Sequence, residues 1–70
     1  MPKKFKRGQP VEWDASQGTV HGTVEKLVTQ TTRVKGHVAK ATAEHPEVLV
    51  RSSKTGAEAI HLPEELRRAQ

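Results

Sequence analysis

Two aromatic rings, four histidines and a surplus of cations are the residues with which this chain could do chemistry. The rings are Phe5 and Trp13, and there is no tyrosine. A reader of methylated lysine or arginine surrounds its cation with several aromatic faces, because each face adds its own electrostatic attraction. Two rings cannot build that cage, so Trp13 reads as a packing anchor. His21, His37, His45 and His61 lack the short-loop or i, i+4 spacing of zinc pairs, and there is no cysteine to supply a thiolate. Neither metal nor cofactor is expected. No serine stands in a nucleophile-elbow context, Ser52-Ser53-Lys54 reads as a turn, and the carboxylates are scattered. A chain this short also leaves little volume for a closed pocket. The expectation is a protein that is not an enzyme.

The cations give a more positive signal. Basic residues outnumber acidic ones by 12 to 8, for a net charge of +4. Lys3, Lys4, Lys6 and Arg7 hold four of the 12, which leaves eight against eight in the rest of the chain. Further on, Arg33, Lys35 and His37 alternate, and Lys40 follows. The seven residues Lys3, Lys4, Lys6, Arg7, Arg33, Lys35 and Lys40 form the candidate nucleic-acid site, with RNA or DNA as partner. Stacking on single strands needs aromatic platforms that are scarce here. What remains is phosphate contact, sensitive to salt and indifferent to sequence. The plainer alternative is a solvated arm and a solvated strand face with Glu25 and Glu47 as cross-strand partners. A third possibility is an adaptor that takes up a protein segment by strand addition at an exposed edge.

Positioning these residues falls to short strands. Val11 and Trp13 are two apart, so a strand puts both on one face and Glu12 on the other. Val20, Gly22 and Val24 share a face in the next segment, and the run Asp14 to Gly18 between the two is rich in turn formers, which together read as a β-hairpin. Gly22 in mid-strand leaves room for a bulky neighbour, with Trp13 the candidate, so Trp13 and Gly22 are the expected structural anchor. The expected strands are about 10–14, a long 18–28 whose parity breaks at Leu27-Val28, then 33–41, 47–51 and 57–61. In the third of these, Val34, Gly36 and Val38 face one way and Arg33, Lys35 and His37 the other. Pro63-Glu64-Glu65-Leu66-Arg67-Arg68 has proline first, acids early and arginines late, which suits a short helix or 3₁₀ turn, with Leu62 and Leu66 as its apolar face.

Five strands with turns between them and a terminal helical turn predict an all-β, five-stranded SH3-like barrel. A flexible basic arm over residues 1–6 precedes a single domain over 7–70, with Phe5 free to fold back over one end of the barrel. The predicted core is Val11, Trp13, Val20, Val24, Val34, Val38, Val48, Val50, Ile60 and Leu66. The longest apolar runs, such as Val48-Leu49-Val50, are too short to span a membrane or to form a signal-peptide core. A soluble, cytoplasmic monomer is the expectation.

The pattern Gly8-x-x-Val11-x-Trp13 followed by Gly18-x-Val20-x-Gly22-x-Val24 is joined by Lys35-Gly36-His37-x-x-x-Ala41 and Pro46-x-x-Leu49-Val50. It ends in Ser53-Lys54-Thr55-Gly56-x-x-Ala59-Ile60-His61-x-Pro63-x-x-Leu66. In this combination the chain resembles the family of small stand-alone proteins called hypervirulence-associated protein TUDOR-like domains. The likeness runs over nearly the whole chain from Phe5 onward. It implies a Tudor-like, SH3-like barrel and brings no enzymatic reaction with it.

Overall fold

The alternation of Val11 and Trp13 against Val20, Gly22 and Val24 builds a tight hairpin at the start of the chain. In the computed structural model, which describes residues 5–16, 18–34 and 36–69 apart from the His37 side chain, β1 is Pro10–Ala15 and β2 is Gly18–Val28. They pair antiparallel, with Trp13 opposite Val20 and Val11 opposite Gly22. The first half of β2 serves β1, and its second half serves β5 (Glu47–Ser52). Its register on β5 shifts between Val24 and Lys26, leaving Glu25 as the extra residue of a β-bulge. The break in parity expected at Leu27-Val28 therefore falls two residues earlier.

The segment expected as one strand over 33–41 is a hairpin. β3 (Thr31–Val34) turns back at Gly36 into β4 (His37–Lys40) and pairs with it in a separate two-stranded sheet. Gly36 has φ +77°, a backbone that side chains with a Cβ rarely adopt. β6 (Glu58–His61) pairs with β5, a 3₁₀ turn (Pro63–Glu65) follows, and β7 (Leu66–Arg68) returns to pair with β1. The main sheet thus runs β6-β5-β2-β1-β7. The protein is all-β as expected, but with seven strands in two sheets among the described residues rather than five in one barrel. The ladder is not closed either, since β6 and β7 end the sheet without pairing to each other. At the C-terminus the helical turn is only three residues long, and its continuation is strand.

Side-chain alternation on β5 divides the interior in two. Val48 and Val50 point into a cluster with Phe5, Val11, Trp13, Val24 and Leu66. Leu49, on the other face, joins Val28 and Ala41, with Val34 and Ile60 packed against them. In the first cluster Val11, Val48, Val50 and Leu66 are all fully buried, and no helical layer is there to cover them. A flat sheet would leave that face to water, so the sheet must curl over itself, with Phe5 as the one member from outside the strands. Six of the ten predicted core residues (Val11, Trp13, Val24, Val48, Val50, Leu66) are buried, and Val20, Val34 and Ile60 are half-buried. Val38 is 47% exposed, because the turn at Gly36 puts it on the opposite face from Val34. Leu62, expected beside Leu66, is 41% exposed.

Trp13 lies diagonally across from Gly22. A Cβ on Gly22 would come within 2.7 Å of the indole Cη2 and 2.3 Å of the Arg51 carbonyl oxygen, distances that real contacts do not allow. Trp13→Ala should lower stability by about 3–5 kcal/mol, the usual range for truncating a buried aromatic. Gly22→Ala should lower it by about 1–3 kcal/mol, as overpacking does. Urea unfolding followed by circular dichroism reads both. A Gly22→Ala variant as stable as the parent would mean that the strands can separate at this point at no cost.

Candidate functional site

Ion pairs account for most of the charge on the outer face of the main sheet. Glu12 stands opposite Arg67 across β1 and β7, and Asp14 is two residues along the same face. The Arg67 guanidinium donates from Nη1 and Nη2 to the two Asp14 oxygens at 3.0 and 2.9 Å. It also reaches Glu12 Oε2 at 3.0 Å. Such a fork is the strong form of a charge-assisted hydrogen bond. Across the same face Arg51 donates to Glu25 and lies 3.6 Å from Glu58, so the bulge at Glu25 aims its carboxylate at a cation. Glu25 is therefore taken by Arg51, and not by the cations of the hairpin, as the plainer alternative had it. The hydrogen bond and charge of Arg67 hold the Asp14 carboxyl below its ordinary range, and the hydrogen bond from Arg51 does the same for Glu25. The same contacts raise both arginines.

The remaining cations are placed differently. Lys6, Lys26, Arg33, Lys40, Lys54 and Arg68 make no ion pair among the described residues. Of the candidate nucleic-acid residues, Lys3, Lys4 and Lys35 lie outside the described residues. Lys6 and Arg7 are exposed, and the Arg7 charge acts on Glu25. Phe5, immediately before them, is only 4% exposed in the first core cluster. Hydrogen bonds between Lys6 and Gln9, and from the Gly8 N–H to the Val24 carbonyl, hold this stretch against β2. Arg33 pairs with Val38 and Thr31 with Lys40, so all four share one face of the hairpin, and all four are exposed. Arg33 and Lys40 thus come together through the hairpin rather than along one strand. From Lys26 to Ala43 the sequence holds four basic residues and no acidic one. That acid-free run is the signal that the cations singled out in the sequence have no acidic neighbour along the chain. It also explains why no partner for Arg33 or Lys40 is at hand.

A groove of about 610 Å³ opens between the β1–β2 turn and the β5–β6 turn, with Trp13, Val20 and Ala59 among its apolar residues and His21, Lys54 and Glu58 among its polar ones. Trp13 is 6% exposed, so its ring is packed rather than displayed. The His61 ring lies 5.1 Å from it at a tilt of 39°, and His61 Nδ1 is 3.6 Å from Glu65. One packed indole is no cage for a cation, which needs open ring faces on several sides. Among the described residues no three His, Asp or Glu side chains gather as metal ligands would, and no helix is long and apolar enough to cross a membrane.

The lowered carboxyls have a consequence for stability. Because Asp14 and Glu25 hold their charge to lower pH in the folded protein, the unfolded chain binds more protons as pH falls. Their contribution is complete above the ordinary carboxyl values of 3.8 and 4.5 and is lost below them. The melting temperature should therefore fall as pH drops from 5 to 3, and Arg67→Gln should make that fall shallower. A parallel fall in parent and variant, followed by scanning calorimetry, would show that the Arg67 fork is not its source.

Residues 8–66 match the family described as hypervirulence associated proteins TUDOR domain. No curated protein and no solved structure matches the chain.

Proposed function

The chain belongs to the family of hypervirulence-associated TUDOR domains, and on that footing we propose a small non-catalytic binding module that takes nucleic acid weakly through its phosphates. The observation that carries this reading is the unequal treatment of the arginines. Arg51 and Arg67 are committed to carboxylates on the main sheet, whereas Arg33 and Lys40 face solvent together with no ion-pair partner among the described residues. Exposed cations without internal partners raise the local potential and attract a polyanion, which releases counterions as it binds. Lys6 and Arg7, with Lys3, Lys4 and Lys35, add to that field on this reading. The module acts as a cytoplasmic monomer.

The groove beside Trp13 favours a second reading, a protein-binding adaptor that seats an apolar side chain of an extended segment between the two turns. The two readings differ in their response to salt. Phosphate binding weakens steeply as salt rises, and apolar seating weakens little.

The test is a titration of the isotope-labelled protein with short mixed RNA and short duplex DNA at 20, 50 and 150 mM salt. Shifts are expected at Lys6, Arg7 and the 31–40 hairpin, fading as salt rises. Arg33→Gln and Lys40→Gln should each lower the slope of log affinity against log salt by about one unit. Shifts confined to His21, Ser53 and Lys54 would move the site to the groove. No shifts at the lowest salt would remove nucleic acid as the partner.

A further inference from the structure

The hairpin of β3 and β4 stands outside the hydrogen-bonded order of the main sheet and forms a two-stranded ribbon of its own. One face of this ribbon is fixed. Val34 packs on the second cluster, where Ala41, just past the end of β4, is also buried with Val28 and Leu49. The other face carries Thr31, Arg33, Val38 and Lys40 in register, all exposed. Beyond its own chain neighbours, no described residue comes within 4 Å of where a Cβ would stand on Gly36. A ribbon packed on the body by one face, with a basic outer face, has the form of a reading head.

We propose that this ribbon enters the major groove of duplex DNA. The inference rests on the nucleic-acid reading above and names the kind of nucleic acid. Two strands about 4.8 Å apart and about 13 Å long fit a groove about 12 Å wide, which admits a two-stranded ribbon. The A-form major groove of duplex RNA is deep and narrow and admits no such element. Single strands are held by stacking on aromatic rings, and Thr31, Arg33, Val38 and Lys40 include none. The charge on the face complements the phosphates on either side of the groove. The side chains also match what the base edges offer. Arg33 and Lys40 can donate to guanine O6 and N7 or to phosphate, and Thr31 to either. Val38, opposite Arg33 and two residues from Lys40 on the same strand, presents an apolar surface to a thymine methyl group. Val38 is a large apolar residue left 47% exposed beside two unpaired cations, and a groove-facing position accounts for that exposure.

The experiment compares a 16-base-pair DNA duplex, the RNA duplex of the same sequence and each single DNA strand, by fluorescence anisotropy at one low salt concentration. The DNA duplex should bind at least about tenfold more tightly than the RNA duplex, since only the B-form groove admits the ribbon. Methylating guanine N7, which lies in the major groove, should weaken binding. So should Val38→Asp, an exposed site where the fold tolerates change, and circular dichroism checks that this variant is folded. Equal affinity for the RNA duplex or the single strands, or indifference to N7 methylation, would overturn the ribbon while leaving phosphate binding in place. Absence of binding to every one of these nucleic acids would overturn both.

Discussion

The close approach of β1 to β2 at Trp13 and Gly22 is the contact on which the rest of the structure depends. Glycine there lets the indole come up against the backbone of β2, and the same missing Cβ leaves space for the Arg51 carbonyl of β5. One residue therefore sets the spacing of two neighbouring strand pairs. Trp13 in turn stands opposite Leu66, where β7 comes back to pair with β1. With only one other aromatic residue in the protein, Phe5, no second large side chain in the strands could take over this role.

Charge is distributed between the two sheets according to how each is mounted. The outer face of the main sheet is tied across its strands by Arg67 to Glu12 and Asp14 and by Arg51 to Glu25 and Glu58. Exposed pairs of this kind contribute little stability each. They hold the four carboxylates of that face on two guanidinium groups, which offsets half of its negative charge. The hairpin has no acids of its own, so its charge stays uncompensated by anything on the same element. A single chain thereby keeps an ion-paired face with an excess of carboxylates and a basic one, a division hidden by its overall charge.

Much of the main sheet is legible in the sequence, because period-two alternation is a strong signal when one face is buried. The bounds of β2 follow from Gly18 and from the polar residues after Val28, and the membership of the first cluster follows from Val11, Trp13, Val24, Val48 and Val50. The hairpin was harder to read. Val34, Gly36 and Val38 alternate correctly for one straight strand, and a two-residue turn at Gly36 leaves that pattern intact while reversing the face of everything after it. Leu49 shows the same limit from the other side. Alternation assigns it to solvent, but the hairpin covers that face and makes it a second interior. The arrangement of charges was less legible still, because which arginine meets which carboxylate is decided by strand pairing up to 55 residues apart in sequence.

The ordering of the main sheet has a consequence for how such a protein can change. β2 and β5 are neighbours in the ladder, yet the chain between them makes a detour through the hairpin and back. Lengthening such a detour costs little, since the entropy of closing a loop grows slowly with its length. Among the described residues its inner side is bound to the second cluster at Val34 and Ala41. The outward positions 31, 33, 38 and 40 can then drift, swap charge or acquire an aromatic ring without disturbing a single buried contact. The domain is in this sense two inheritances in one chain, a scaffold that must stay the same and a short appendage free to acquire new preferences.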